Sequence, residues 1–491
     1  MERGNGVKLF GKGKRTPSAG SNAAKAGLGY TIGNILIKGI SFLALPIFSR
    51  IMLPQDYGLY NTFLSYASIL AIFLGLALNA SIKNAKYDFP GQLNQYCSSM
   101  VLLILCNVTL ALMISLAFSA KLSAIAVLGG GMVVLMVLES FGSAILTFFN
   151  SSLAMDYRYK EYLALSFAYS FGSIMLSIFF LKVVFPSNGY LARTLGSVVP
   201  LMLIAIYILI RLFHSARPRL SKQYWKYGLK FSLPLVPHGL SQILLSQFDR
   251  IMILNSIGEK QAGFYSFAFN IAVLYQVVAT SMDTAWTPWF YEQMAAGEEG
   301  RIRKRATEYV LLMSVLVVLL MLISPELILI MGSAQYADSR FSVIPIVLSM
   351  YFAFLYMIPS AVEYYYRKTK WIAFGTVCAA VANVVLNATF IPRYGYLAAA
   401  YTTLTCYAIY FLIHLALARR VLGRPLFDIR KLLLCAAGVA AVAAACLLLI
   451  NRPVIRLGIL ALLLIAAAVT AMKKREELRL LVRQILGKRS A

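Results

Sequence analysis

The chain has 491 residues, of which 60% are hydrophobic and only 13% charged, about half the charged share of a soluble domain. So few charges cannot cover the two or three soluble domains that this length would otherwise make. A soluble enzyme, a disordered chain and a disulfide scaffold are all poor fits. The formal charge is +27, from 46 Lys and Arg against 19 Asp and Glu. Nucleic acid, an anionic substrate and membrane topology each offer an account of it.

Residues 1–27 read as a basic cytoplasmic tail, because the first apolar stretch is longer than the core of a cleaved signal. Gly6-Val7-Lys8-Leu9-Phe10-Gly11-Lys12 matches the start of a phosphate-binding loop, but Gly13 stands where Ser or Thr would hold magnesium and no strand precedes it. Nucleotide binding is set aside, and no cofactor is expected. Fourteen apolar segments follow, near 28–50, 57–79, 98–120, 123–149, 162–184, 190–212, 229–254, 262–286, 307–331, 341–363, 371–391, 395–418, 432–450 and 454–472. Each is near bilayer length. The seventh is polar for a span and contains Pro234 and Pro237; neighbouring helices can satisfy the backbone groups that proline frees. Residues 213–228 form a cytoplasmic linker. The last segment, 473–491, has an amphipathic basic pattern suited to the anionic inner leaflet, with a solvated tail as the alternative. None of the six cysteines has CxxC spacing, so neither metal nor disulfide is expected.

The tails and the connections after even-numbered spans hold 35 of the 46 basic residues. Cytoplasmic segments carry such an excess, so both ends are expected inside. Basic residues spread over eight segments form no single patch, which argues against nucleic acid.

The chain also repeats at offsets of 200 to 209. Phe48-Ser49-Arg50-Ile51-Met52 returns as Phe248-Asp249-Arg250-Ile251-Met252, and Gly58-Leu59-Tyr60 is echoed by Gly263-Phe264-Tyr265. Gly189-Tyr190-Leu191-Ala192 matches Gly395-Tyr396-Leu397-Ala398, and Tyr157-Arg158 corresponds to Tyr366-Arg367. The expected architecture is an all-α polytopic membrane protein of about 14 transmembrane helices. It divides into a six-helix bundle over 28–212, a second over 229–418 in parallel orientation, and two extra helices within 419–472. Paired bundles of this kind hold substrate between the halves.

Phe48-Ser49-Arg50-Ile51-Met52-Leu53-Pro54-Gln55-Asp56-Tyr57-Gly58-Leu59-Tyr60 resembles the start of bacterial polysaccharide transporters. These are the Wzx-type lipid-linked oligosaccharide flippases of the multidrug/oligosaccharidyl-lipid/polysaccharide (MOP) exporter superfamily. The resemblance implies two six-helix bundles forming a V around a central cavity in the bacterial cytoplasmic membrane. It implies movement of an undecaprenyl-pyrophosphate-linked oligosaccharide from the inner to the outer leaflet for surface polysaccharide synthesis. The partners implied are that lipid-linked glycan, membrane lipid, and glycan polymerase and chain-length proteins.

Ionisable groups within spans are costly and are functional candidates. Lys38 lies about 15 Å into the first span at helical rise. Tyr30, Asn34, Lys38 and Ser41 share one helical face. Under the 200-residue offset Lys38 maps to His238, which begins a second stripe with Gln242, Ser246 and Asp249; Arg50 maps to Arg250. A cavity lined this way favours an anion. Snorkelling of Lys38, a backbone bond for His238 and interfacial anchoring of the arginines are the structural readings. Glu139 is expected either to neutralise Lys38 or to exchange a proton. Asp249 is a further candidate coupling or gate residue. Asp283 and Glu363 suit an inner gate or, more simply, an interfacial solvated position. Asn383 and Asn387, at i and i+4, suit interhelical bonding.

Three classes compete. A flippase needs only the cavity. A membrane glycan polymerase or glycosyltransferase needs an extra-membrane site and paired carboxylates, and the expected outer loops are short. A cation-coupled multidrug exporter of the same superfamily needs acids in the cavity, where Lys38 and His238 supply the opposite sign. The non-enzymatic flippase is the expected function.

Overall fold

In a bilayer every backbone N–H and C=O must find an internal partner, and a helix provides one within each segment. The computed structural model describes residues 17–126 and 129–473, and among these there are helices and turns but no strand. The helices are α1 (Pro17–Leu43), α2 (Leu45–Ile51), α3 (Pro54–Gly75), α4 (Ile82–Asp88), α5 (Leu93–Ala117), α6 (Ser119–Ala126), α7 (Gly130–Met155), α8 (Tyr159–Phe179) and α9 (Gly189–Ser215). There follow α10 (Lys222–Ser232), α11 (Val236–Ser256), α12 (Glu259–Ala296), α13 (Glu299–Met331), α14 (Arg340–Leu355), α15 (Met357–Tyr365), α16 (Thr369–Tyr394), α17 (Tyr396–Leu422), α18 (Ile429–Leu448) and α19 (Pro453–Lys473). Among the described residues, twelve helical segments are long and apolar enough to cross a membrane.

Two of the fourteen expected spans fall outside those twelve. α11 is too polar on its own, and the described apolar part of α19, Pro453–Ala466, is short. α11 is sheltered between α3, α12 and α16, so its polar groups face protein. Its boundary also corrects the expected 229–254. Helix α10 runs to Ser232, a 3₁₀ turn holds Leu233–Leu235, and α11 starts at Val236. Pro234 and Pro237 impose this break, since neither can donate to the helix ladder. The expected linker therefore contains most of a helix. The first helix begins at Pro17, eleven residues before the expected start of its span at 28, and the span is broken between α1 and α2 beside Pro46. The amphipathic pattern at 473–491 lies outside the described residues, apart from Lys473.

α1 to α9 pack mainly among themselves, α11 to α17 do likewise, and α18 and α19 lean on α13 and α14. Contacts between connections fall into two sets. At one end Tyr336 donates to the Met52 carbonyl at 3.2 Å, Tyr190 N–H to Asp56 at 3.2 Å, and Tyr396 to the Asp338 carbonyl at 3.0 Å. At the other, Lys86 meets Asp156 at 2.9 Å, Tyr227 donates to Asp88 at 2.5 Å, and Arg303 to the Pro425 carbonyl at 3.0 Å. These are called the Met52 end and the Asp156 end below.

The repeat also appears in backbone geometry. Tyr157 and Arg367 both adopt left-handed φ, 55° and 56°. Both terminate a helix with the same closing bond, Arg158 N–H to the Leu153 carbonyl at 3.0 Å and Lys368 N–H to the Glu363 carbonyl at 2.8 Å. Left-handed non-glycine residues cost about 1–2 kcal/mol, so the same turn in both halves is a specified feature. Structurally the offset here is 210, one residue from the 209 that the sequence match suggests.

Candidate substrate cavity and its buried polar networks

The two halves meet at the Met52 end through α3 and α12. Tyr57 of α3 accepts a bond from Asn270 of α12 at 2.7 Å and packs edge-on against Phe267 and Tyr336. Such aromatic pairs add about 0.5–1.5 kcal/mol each beyond the area they bury. Ser49 of α2 donates to the Met331 carbonyl of α13 at 2.6 Å. Toward the Asp156 end the halves part around a cavity of about 490 Å³. The second half of α3, the middle of α7 and the first turns of α11 line it, with Glu139 and His238 as its titratable groups.

Each half holds a buried carboxylate that accepts from hydroxyl groups of neighbouring helices. Glu139 is 2% exposed. Its Oε1 accepts from Tyr169 of α8 at 3.1 Å and Ser197 of α9 at 3.0 Å, while Oε2 has no partner among the described residues. Asp249 of α11 is 1% exposed. It accepts from Tyr265 of α12 at 2.5 Å, Asn387 of α16 at 2.6 Å and Thr403 of α17 at 2.6 Å. Ser197 and Thr403 stand at equivalent repeat positions, 206 apart like Tyr190 and Tyr396. The repeat has thus kept a hydroxyl donor for a buried carboxylate at one place in each half. A carboxylate with several hydrogen-bond donors satisfies lone pairs that burial would otherwise leave at a cost.

The expected basic stripes separate in three dimensions. Tyr30 and Asn34 turn toward α7 and α8: Tyr30 donates to the Leu153 carbonyl at 3.4 Å, and Tyr162 donates to Asn34 at 3.0 Å. Lys38 and Ser41 are exposed on α1. Lys38 has no bonding partner among the described residues, and Ser41 bonds the Ile37 carbonyl of its own helix. Glu139 therefore does not neutralise Lys38; hydroxyls hold it instead. His238 lines the cavity, and its Nδ1 lacks a partner among the described residues. Gln242 and Ser246 lie farther along α11, where Ser246 bonds the Gln242 carbonyl at 2.9 Å.

The two arginines do not line this cavity. Arg50 donates to the Pro46 carbonyl at 2.8 Å and the Ile330 carbonyl at 3.3 Å, tying α2 to α13 at the Met52 end. Arg250 is 4% exposed, bonds Gln247 and lies 4.4 Å over the Phe269 ring. Arg50 thus binds helix-end carbonyls and Arg250 a side-chain amide and a ring face, while the Arg250 Nε has no partner among the described residues. Asp283 is half-buried and accepts from Thr287 at 3.2 Å, one turn on. Glu363 corrects the interfacial expectation. It is fully buried and meets His414 of α17 at 2.7 Å, with Tyr356 and Tyr410 around the imidazole.

Sequence reading missed Tyr169, Ser197, Thr403, His414 and Arg193. The last stacks 4.0 Å over Phe48 and 4.6 Å over Tyr60 and donates to Ser177 at 2.5 Å. Aligning the repeat polar residue by polar residue would have found Ser197 with Thr403. Nothing in an apolar run marks His414 or Tyr169 as a partner to a carboxylate.

Comparison with known proteins agrees with this architecture. A family model described as polysaccharide biosynthesis protein matches residues 24–294, and one described as MatE matches residues 234–389. The Lsg locus putative protein 1 of Haemophilus influenzae is 24% identical over 381 residues, covering 74% of this chain and 89% of that one. Among solved structures, the lipid II flippase MurJ in an inward closed conformation is similar with a TM-score of 0.72 at 14% identity, covering 91% of this chain and 99% of that one. An inward-facing MATE multidrug-resistance transporter of the MOP superfamily gives 0.63 at 16% identity, covering 80% and 98%. A multi-pass helical membrane chain built from a repeated unit, with its cavity between the halves and more than half its length matched by one family model, belongs to the polysaccharide biosynthesis protein family.

Proposed function

We propose that the protein is a flippase that moves an undecaprenyl-pyrophosphate-linked oligosaccharide from the inner to the outer leaflet of the bacterial cytoplasmic membrane. It works by alternating access, without a cofactor and without making or breaking a covalent bond. The observation that carries this reading is the cavity between the halves, with Tyr57, Asn270 and Ser49 joining the halves at the Met52 end and the lining lying toward the Asp156 end. Connections at the Asp156 end hold the basic excess, so that end faces the cytoplasm in this reading. The structure then corresponds to the state that receives substrate from the inner leaflet. The lipid-linked glycan, membrane lipid and a glycan polymerase with chain-length proteins are its partners.

Glu139 on the cavity wall and the MatE match over 234–389 favour a second reading, a cation-coupled drug exporter. Reconstitution separates the two. Proteoliposomes loaded with a polyprenyl-pyrophosphate-linked disaccharide on the inner leaflet should show outward delivery by lectin accessibility, and no expulsion of a cationic dye. Dye expulsion without glycolipid movement would overturn the flippase reading.

A further inference from the structure

The geometry points to the Glu139 wall of the cavity as a subsite for the glycan part of the substrate, one that takes uncharged or amino sugars and rejects acidic ones. This rests on the flippase reading above. Glu139 begins a stripe on α7 that continues with Ser143 and Thr147 at i+4 and i+8, so the three share a face, and all three line the cavity. The stripe has hydrogen-bonding capacity that no described residue uses. Glu139 uses Oε1 for Tyr169 and Ser197, and its Oε2 has no partner among the described residues. No described residue takes the side-chain hydroxyls of Ser143 or Thr147. Ser68 of α3, Asn79 beyond its end and His238 on α11 complete the polar lining.

The same wall is wrong for pyrophosphate. Among the described residues no Lys or Arg lines this cavity, and a phosphate beside the Glu139 carboxylate adds like-charge repulsion that no lining cation offsets. Oε1 already takes two hydroxyl donors, and Oε2 keeps its acceptor lone pairs unused by any described residue. Sugar hydroxyls, acetamido N–H groups and ammonium groups supply further donors, and bonds to a carboxylate are the stronger, charge-assisted kind. A uronic acid brings a second carboxylate and meets repulsion. The cavity volume of about 490 Å³ lies within the range that encloses small ligands. The pyrophosphate and lipid must then be held elsewhere, and the sign of the sugar is read at this wall.

The test uses the full chain in proteoliposomes with three probes. These are undecaprenyl pyrophosphate, the same lipid bearing an N-acetylhexosamine disaccharide, and the same lipid bearing a disaccharide with one uronic acid. Wild type should move the neutral glycolipid at least tenfold faster than the acidic one. Glu139→Gln keeps the acceptor for Tyr169 and Ser197 but removes the charge, and should bring that ratio to within about twofold of unity. Thr147→Asp, at an exposed wall position, should raise the ratio further. An unchanged ratio in both variants overturns the subsite and leaves the flippase reading standing. Failure of wild type to bind or move any of the three lipids overturns the flippase reading and the subsite with it.

Discussion

Gly58 of α3 and Gly263 of α12, equivalent residues of the internal repeat, face each other backbone to backbone at the Met52 end. A Cβ on Gly58 would fall on the Glu259 carbonyl and 2.6 Å from Gly263 N, and one on Gly263 would fall on the Pro54 carbonyl and 2.8 Å from its carbon. Small residues let transmembrane helices approach to backbone contact. Here one repeat position supplies both, so the closure sits where the two halves are related.

Gly58→Leu should therefore prise this end apart. Spin labels at Gln55 and Lys260, both exposed, should move apart by several ångströms in pulsed electron paramagnetic resonance, and transport should fall at least tenfold. An unaltered label distance would show that the contact does not hold the closure.

Asp249→Ala removes the acceptor for Tyr265, Asn387 and Thr403. Each buried donor left unpaired costs about 1–3 kcal/mol, so the variant should lose several degrees of thermal midpoint in detergent. Asp249→Asn keeps one carbonyl oxygen and should lose less. Equal midpoints for wild type and the alanine variant would contradict the network.

The Glu363–His414 pair is separated by 51 residues in sequence and wholly buried. His414→Ala leaves the carboxylate without its partner and should destabilise by about 1–3 kcal/mol. Replacing both with Leu removes the polar groups together and should recover part of that loss, as replaced buried pairs often do. A double variant less stable than the single would indicate that the pair is worth more than its desolvation costs. Thermal unfolding of the three proteins decides it.

Arg456 of α19 is 1% exposed, pairs with Glu326 of α13 and donates to the Ile450 carbonyl at 3.1 Å. Breaking a buried pair from one side costs about 3–5 kcal/mol. Arg456→Leu should loosen α19 from α13. Limited proteolysis of the connection at 449–452 should accelerate, and an unchanged cleavage rate would place the attachment elsewhere.

Lys38 stands exposed on α1 without a bonding partner among the described residues. If it holds the anionic end of the substrate, Lys38→Ala should abolish surface glycan while the protein stays in the membrane, and Lys38→Arg should retain it. Wild-type glycan levels in the alanine variant would leave Lys38 as a snorkelling residue.

Membrane placement, the fourteen apolar segments as helices to within a dozen or so residues, the repeat and the family were legible from the chain, because each depends on local or additive properties. Hydropathy sums over a window, and a repeat shows as identity at a fixed offset. The seventh segment was legible only roughly: Pro234 and Pro237 were visible, but which side of them the span begins depended on α10 continuing to Ser232. Side-chain partners were not legible. Periodicity says that Glu139, Ser143 and Thr147 share a face of α7; it does not say that α8 and α9 bring Tyr169 and Ser197 behind it while the cavity opens in front. The same limit hid His414 behind Glu363, moved Arg50 and Arg250 from the expected cavity to helix ends and ring faces, and left Lys38 apart from Glu139. Helix faces are set within one segment over a few residues. Which face meets which depends on how sixteen other helices pack around α3, α7 and α11, and that packing is decided only by tertiary structure.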